Sequence, residues 1–278
     1  MACGGEGMLA GQSEGRQPRG LGWRETVTTL VGILSLLAVA VGLYITNKAN
    51  RDQQKLAQQG QVTERFGTSI NQLGSDNLDV RLGGVYALER LMNDASADEA
   101  NIIEVLSAYI RDHTGNSATV TQATPSPAQS HPATDVQAAL TVLGRRPDPG
   151  SHVRIDLTWA NITGADLTDA NLARADLRDA DLTGVYLRSA DLAGAALRNA
   201  DLARAYLRSA DLAGAYLRYD DLTDANLRSA NLTGASLAGA NLTGANLTGA
   251  RWPLHAPVPQ GWARDRDSGL LTRASNTP

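Results

Sequence analysis

The sequence predicts an all-β solenoid, preceded by a transmembrane helix and a small α-helical segment. Three observations lead to this prediction. A five-residue unit recurs nineteen times over residues 155–250, centred on Leu157, on Ile162 and then on a Leu at every fifth position to Leu247. A run of 21 residues, 26–46, carries no charged side chain. Between these two regions, residues 68–112 show apolar side chains at helical spacing.

Each unit of the array reads Ala, then Asp or Asn, then Leu, then two corner residues, as in Ala165, Asp166 and Leu167. A period of five does not suit an α-helix, because five steps turn the centre by about 140° around the axis. It does not suit a flat strand either, which alternates every two residues. Ala and Leu are two apart and face inward together, Asp or Asn faces outward, and Gly, Asp, Asn or Ser turns the corner. The period therefore predicts a solenoid that bends once per unit.

These units resemble the A(D/N)LXX repeats of the pentapeptide-repeat family, over roughly a third of the chain. The resemblance implies a right-handed quadrilateral β-helix with four units per coil and a rise of about 4.8 Å per coil. A span followed by a helical phrase (DVRLGGVYALERLM) and a repeat array also resembles a group of actinobacterial membrane-anchored pentapeptide-repeat proteins.

With four units per coil, side chains twenty residues apart lie on one face. One face carries the tyrosine–arginine stripe, which we define as Tyr186, Arg188, Tyr206, Arg208 and Arg228. The opposite face carries Arg178, Arg198, Tyr216 and Arg218. The two remaining faces carry Asp ladders, with Asp181, Asp201 and Asp221 on one and Asp191 and Asp211 on the other. Cationic faces are thus predicted to alternate with anionic ones.

Two units depart from the pattern, because Asp220 replaces an inward Ala and Ala196 replaces an outward Asp. A buried carboxylate without a partner is costly. We therefore expect Asp220 either to be hydrogen-bonded or to push its coil outward.

The uncharged run begins at Thr26 and ends at Thr46, with Trp23 and Tyr44 near its ends. At about 1.5 Å per residue, such a helix spans the roughly 30 Å hydrocarbon core of a bilayer, and aromatic residues favour the interfaces. A single-pass transmembrane anchor is the favoured interpretation. A signal peptide cleaved at the small residues 38–40 and a soluble core helix are the alternatives.

Basic residues flank the run on both sides, with Arg16, Arg19 and Arg24 before it and Lys48, Arg51 and Lys55 after it. The positive-inside count is nearly balanced. A short N-terminal tail is easily moved across a membrane, and the basic character continues to Arg65. The repeat domain is therefore expected in the cytoplasm.

The rest of the chain divides by composition. Residues 1–22 read as a disordered tail, 47–112 as a juxtamembrane helix or stalk with a small helical unit, 113–134 as a flexible linker, 135–150 as a helix capping the array, 151–250 as the β-helix, and 251–278 as a second cap and tail. Ser75 or Asp76 is expected to cap the second helix, and Ser96 or Asp98 to begin the third. That second helix has an apolar face predicted from Val80, Val85, Leu88 and Leu91.

Three short helices bury little surface, so the helical unit is expected to lean on the array, a second copy or another protein. At the other end, Trp252, Pro253, Val258 and Trp262 are expected to form the C-terminal cap, with a polar tail after Arg264.

The inventory of reactive side chains argues against an enzyme. Cys3 is the only cysteine, the four His lie outside the array, and no Glu follows Glu104. These residues supply no Ser–His–Asp or Cys–His grouping and no zinc-binding spacing. The Asp ladders lie on flat faces without a cleft, and are interpreted as solvated structural residues. We predict no catalytic residues, no cofactor and no metal.

The sequence therefore predicts a membrane-anchored, non-enzymatic binding or scaffold protein. The tyrosine–arginine stripe is the candidate protein-binding site, because interfaces favour Tyr and Arg. Stacked arginines repel each other unless neutralised, and the alternative interpretation is that nearby Asp and salt neutralise them. The partner protein is not readable from the sequence, and the net charge of −4 gives no strong attraction to nucleic acid.

Two other functions stay open. Some members of the resembled family mimic DNA and bind type II topoisomerases, but this array holds twelve Asp against eight Arg and forms a rod of only about 24 Å. The other is a purely structural spacer or self-assembly element, with a homo-oligomer forming through the anchor or the helical unit.

Overall fold

The computed structural model describes residues 22–94, 98–115, 131–146 and 153–274, and only the backbone of residues 24–26. The predicted tail before Gly22, most of the predicted linker and the last residues of the predicted cap helix lie outside the described residues. The chain divides into two compact units, residues 1–60 and 61–278.

Helix α1 (Trp23–Leu73) contains the whole uncharged run and continues without a break through the stretch predicted as a helix or stalk. All side chains described between residues 27 and 60 are exposed. The helix is long and apolar enough to cross a membrane, although a signal sequence near an N-terminus has the same character.

Three shorter helices follow: α2 (Leu78–Asp94), α3 (Glu99–Thr114) and α4 (Thr134–Gly144). Helix α4 packs against both α2 and α3. Their shared core is formed by Val85, Leu88, Leu91, Ile102, Ile103, Leu106, Ile110, Val136, Leu140 and Leu143. The predicted apolar face of α2 is thus correct except for Val80, which is exposed because it lies about 140° around the helix from Val85.

The start of α2 differs from the prediction. Asn77, rather than Ser75 or Asp76, caps the helix, since its Oδ1 accepts the amide N–H of Asp79 at 2.9 Å. Helix α3 begins directly after Asp98, which is one of the two residues predicted to start it. The side chain of Asp98 makes no capping hydrogen bond.

Buried Asp135 ties the three short helices together. Its Oδ2 accepts hydrogen bonds from Arg81 Nε at 2.5 Å and from the Tyr109 hydroxyl at 2.7 Å. Burial by itself would raise the pKa of Asp135, but the hydrogen bonds from Tyr109 and Arg81 outweigh it and hold the pKa below its ordinary value. From α3, Arg111 also donates to the carbonyl oxygen of Asp156 in the first coil, at 2.7 Å. Of the three expected supports, the array is therefore one that the helical unit contacts, and the unit also packs against the cap helix α4.

The array is a β-helix with twenty residues per coil. Parallel bridges join residues twenty apart, from Asp156–Asp176 to Asn231–Arg251, which is the four-unit coil that the family resemblance implies. Each face contributes a single bridged residue rather than a long strand. The central side chains are buried throughout the array, except for Leu237 and Leu242 in the last coil, which are half-buried.

The fifth residue of each unit turns the corner with a positive φ, both at glycines such as Gly184 (63°) and at larger residues such as Arg204 (59°) and Tyr219 (66°). This confirms the prediction that the corner lies there. The outward Asp or Asn supports the same turn, because its Oδ1 accepts the amide N–H two residues later, as Asp191 does at 2.9 Å. The short side chains of Asp and Asn reach this amide, so the Asp ladders are structural rather than merely solvated.

Asp220 is the exception inside the β-helix. It is 1% exposed, and neither carboxylate oxygen has a hydrogen-bond partner among the described residues. Burial raises its pKa to about 8, and the nearby amides of Ala200 and Asn199 offset only part of that shift. Neither expected outcome is seen, because the coil still pairs through Asn241, which donates to the Asp220 carbonyl oxygen at 2.9 Å. Only the local turn changes. In the other units the amide N–H of the inward residue donates to the carbonyl oxygen three residues earlier, as Ala225 does to Leu222 at 3.0 Å, and the amide of Asp220 makes no such bond.

Helix α4 closes the first coil. The carbonyl oxygen of its last residue, Gly144, accepts the amide N–H of Asn171 at 2.9 Å. The packing is close, because a Cβ atom at Gly144 would lie 2.8 Å from the Cβ of Ala170.

A two-stranded antiparallel hairpin, β1 (Trp262–Arg264) and β2 (Leu271–Arg273), closes part of the last coil. The amide of fully buried Leu271 donates to the carbonyl oxygen of Ala250 at 2.9 Å. The prediction of a polar tail after Arg264 is therefore wrong in this stretch, because the chain turns at residues 265–269 and returns to the coil. Of the predicted cap residues, Trp252 and Pro253 are buried, Trp262 is half-buried and Val258 is exposed.

Candidate protein-binding surface

The two tyrosines of the tyrosine–arginine stripe form a flat aromatic platform. Tyr186 and Tyr206 lie one coil apart, with ring centroids 4.7 Å apart and ring planes only 2° from parallel. Each takes the outward position that Asp or Asn fills elsewhere, and they are 39% and 46% exposed. The period of twenty predicts this stacking, because it places equivalent residues of neighbouring coils directly above one another.

His131 extends the platform at the end nearest α4. Its ring stacks on Tyr186 at 6.5 Å between centroids, and its Nδ1 lies 2.8 Å from the carbonyl oxygen of Gly164. His131 lies in residues 113–134, the stretch predicted to be a flexible linker. No local pattern marks it, since its neighbours in space are more than thirty residues away in the chain.

The three arginines of the stripe are exposed and have no partner in the described part of the chain. Arg188, Arg208 and Arg228 each follow a buried Leu. No carboxylate described in the structure lies within 4.0 Å of them, and their guanidinium groups make no hydrogen bond there. Neighbouring arginines are one coil apart, so their like charges repel each other unless a partner or salt neutralises them.

The arginines of the opposite face, in contrast, are all engaged. Arg178 pairs with Asp176 at 2.6 Å, while Arg198 and Arg218 lie 5.9 and 5.5 Å from the ring of Tyr219. Burial would raise the pKa of Asp176, but hydrogen bonds from Arg178 lower it below the ordinary value. The two cationic faces, which look equivalent in the sequence, therefore differ in the folded protein.

Asp166, which takes the outward position of this face in the first coil, is already hydrogen-bonded within the fold. The backbone of Asp166 is bound by Gln137 of α4, whose Nε2 donates to its carbonyl oxygen at 2.7 Å and whose Oε1 accepts its amide at 2.9 Å. The carboxylate of Asp166 accepts the amide of Thr168 at 3.0 Å. It supports its own turn and does not neutralise the stripe.

Chemically, the surface offers three adjacent guanidinium groups beside two stacked phenol rings. Guanidinium groups form paired hydrogen bonds with carboxylates and phosphates, and tyrosine rings add contact area at low entropic cost. In the described ranges, no group of three or more His, Cys, Asp or Glu side chains could hold a metal ion.

Comparison with known proteins identifies the repeat family of the array. The family model for pentapeptide repeats matches eight copies, at residues 153–188, 186–218 and 221–251. Among solved structures, a pentapeptide repeat protein (alr5209) from Nostoc PCC 7120 is 36% identical over 37% of this chain and 78% of its own, with a TM-score of 0.28. The chain belongs to the pentapeptide-repeat family, whose members fold as right-handed β-helices and are generally structural or binding proteins rather than enzymes.

Two further solved structures are similar. HetL, a pentapeptide repeat protein involved in heterocyst differentiation regulation from Nostoc sp. strain PCC 7120, is 36% identical over 37% of this chain, with a TM-score of 0.30. This chain spans 56% of HetL's length. A pentapeptide repeat protein from the Arabidopsis thaliana thylakoid lumen is 32% identical over 38% of this chain and 66% of its own, with a TM-score of 0.28. No curated protein matches significantly.

Proposed function

We propose that this protein is a membrane-anchored, non-enzymatic binding module whose tyrosine–arginine stripe binds an acidic surface on a partner protein. The observation that carries the proposal is the contrast between the two cationic faces. The stripe arginines have no carboxylate partner among the described residues, whereas Arg178, Arg198 and Arg218 each have a partner within the fold. Three stacked, repelling cations are stabilised when an acidic partner binds them.

The anchor is α1. Its apolar side chains between residues 27 and 45 are exposed, and exposing such surface to water costs roughly 25 cal/mol per Å². A bilayer removes that cost, and the length of the uncharged run suits one crossing. Basic residues continue beyond the span to Arg65, which favours the cytoplasmic side for the repeat domain.

A protein partner fits this surface better than a nucleic acid does. The Asp ladders lie on the faces that adjoin the stripe and would repel a phosphate backbone that extended past it. A compact patch of Tyr and Arg, in contrast, matches the residues that dominate protein interfaces.

The test compares two matched double variants of the full-length protein. Arg188→Ser with Arg208→Ser removes two stripe charges, and Arg198→Ser with Arg218→Ser removes two charges from the opposite face. Each lost charge-assisted contact is worth about 1.5 kcal/mol, so the stripe variant should bind its partner roughly a hundredfold more weakly. Co-purification after cross-linking in membranes should therefore lose partners with the stripe variant and keep them with the control.

Identical partner sets from the wild type and the stripe variant would contradict the proposed site. The same experiment reports orientation. Cytoplasmic partners agree with a cytoplasmic repeat domain, whereas captured envelope or cell-surface proteins would place it on the other side.

A further inference from the structure

The last coil of the β-helix is only partly closed. The hairpin covers the coil at Gly249 and Ala250, where Leu271 exchanges backbone hydrogen bonds with both residues. On the two preceding faces of the same coil, the central residues Leu237 and Leu242 are half-buried, whereas every other central residue of the array is buried. The uncovered part of the coil runs from residue 235 to residue 244.

One coil below, the backbone shows what this edge can bind. There Leu217 donates its amide to the carbonyl oxygen of Ser236 at 2.8 Å, Tyr219 donates to Ala238 at 3.1 Å, and Ser236 donates back to Ala215 at 2.9 Å. The equivalent groups of the last coil are the amides of Leu237 and Gly239 and the carbonyl oxygen of Ala235. In the described part of the chain none of these three has a hydrogen-bond partner. Their spacing is that of a strand edge, and an extended backbone matches it.

No residue in the described ranges completes this edge. After the array the chain continues through Pro253, Pro257 and Pro259, which lack the amide N–H that another coil would need. Residues 252–259 instead form the opposite wall of a cleft of about 830 Å³ beside the edge. The cleft is lined mainly by apolar groups, including Ala240 and Leu254, and Leu254 is 72% exposed.

We propose that this cleft binds an extended, apolar segment of a partner polypeptide, which adds to the last coil as one more strand. A residue above Ser236 would donate to Ala235 and accept from Leu237, and the second residue after it would accept from Gly239. Backbone pairing of this kind supplies affinity, and the apolar wall selects alternate side chains. Because residues 252–259 line the cleft beside the edge, we expect a single strand to fit there rather than the flat end of a second β-helix. The proposal is independent of the stripe.

The first test is hydrogen exchange on the full chain in lipid nanodiscs. Unpaired edge amides exchange quickly, whereas paired ones exchange only on opening. We expect the amides of Leu237, Gly239 and Leu242 to exchange at least a hundredfold faster than those of Leu217, Tyr219 and Leu222, which occupy the same positions one coil below. Equal protection would overturn the proposal, because it would mean that a second copy or the chain itself already covers the edge.

The second test uses a displayed library of random heptapeptides, selected on the same nanodisc sample. Enriched peptides should alternate apolar residues and should protect Leu237, Gly239 and Leu242 from exchange. N-methylation of the peptide amides that face the edge should abolish binding, and N-methylation of the alternate amides should not. Leu254→Ser should weaken binding at least tenfold, and Leu56→Ser, an equally exposed leucine on α1, should leave it unchanged. No enrichment, or protection elsewhere on the chain, would refute strand addition.

Discussion

Replacing Asp220 with Ala is expected to stabilise the β-helix by roughly 4 kcal/mol at pH 7. Ala restores the inward residue found in the neighbouring units and removes a carboxyl group that is 1% exposed and lacks a hydrogen-bond partner in the described structure. The gain should be visible in urea unfolding of the full chain in detergent micelles, followed by the fluorescence of buried Trp252.

The pH dependence gives this prediction its sharpest form. The pKa of Asp220 is about 8 in the folded protein and about 3.9 in an unfolded chain. Between these values the folded state binds more protons than the unfolded state, so wild-type stability falls as pH rises. The advantage of Asp220→Ala should therefore be small near pH 4, grow through neutral pH and level off above pH 8.

Asp220→Asn is the matched control, because it keeps the size of the side chain but stays neutral at every pH. The free energy of unfolding of Asp220→Asn should therefore not show the fall between pH 4 and pH 8 that is expected for the wild type. If the wild type and Asp220→Ala show parallel stability profiles over this range, the carboxyl group is not buried as described.

The second large effect is expected at Asp135. Asp135→Ala leaves the guanidinium group of Arg81 and the buried hydroxyl of Tyr109 without their shared acceptor. Leaving a buried hydroxyl such as that of Tyr109 without its acceptor typically costs about 1–3 kcal/mol. We expect a loss of roughly 2 kcal/mol in the packing of α2, α3 and α4, measured as faster hydrogen exchange at Leu88, Ile103 and Leu140.

An exposed ion pair supplies the control for this change. The Arg90–Asp94 pair on α2 is largely exposed, so Asp94→Ala should cost less than about 0.5 kcal/mol.

The contribution of Asp135 to stability should depend on pH in the opposite direction to that of Asp220. Because the folded pKa of Asp135 is lowered, its contribution is present above the unfolded pKa and is lost as pH falls below it. Exchange rates in Asp135→Ala equal to those of the wild type would contradict the assignment.

The parts of the fold that depend on local repetition could be predicted from the sequence. The inward Leu and the turning corner follow from the five-residue period, and residues such as Leu187 and Gly184 occupy the predicted places. The resemblance supplied four units per coil, which the period alone leaves undetermined. Periodicity also placed the apolar face of α2 apart from Val80, because that face depends on side chains within a few turns of the same helix.

What the sequence did not predict depends on contacts between distant residues. Nothing near Asp135 indicates that Arg81 and Tyr109 converge on it, and nothing near His131 indicates that it stacks on Tyr186. The hairpin after Arg264 had a local signal, since Asp265 accepts the amide of Ser268 at 2.8 Å and Gly269 has a positive φ. Its docking depends on contacts with distant residues, since Leu271 bonds to Gly249 and Ala250 and Leu270 pairs with Arg251.

The candidate site was only partly predictable for the same reason. The period places Tyr186 above Tyr206 and aligns the arginines, so the stripe can be named from the sequence. Which arginines are neutralised depends on where each side chain points. Tyr219 engages Arg198 and Arg218 on one face, and no side chain in the described structure does this for the stripe.

The proposed function requires the stripe to be the partner-binding surface of a membrane-anchored chain. The most direct measurement is photo-cross-linking in intact cells, with p-benzoylphenylalanine placed at position 209, beside Arg208, or at position 219 on the opposite face. Both positions are exposed corners with positive φ, and Tyr219 shows that an aromatic side chain fits there. We expect a discrete protein adduct from position 209 and none from position 219. No adduct from position 209, or the same adduct from both positions, would contradict the assignment of the stripe as the binding surface.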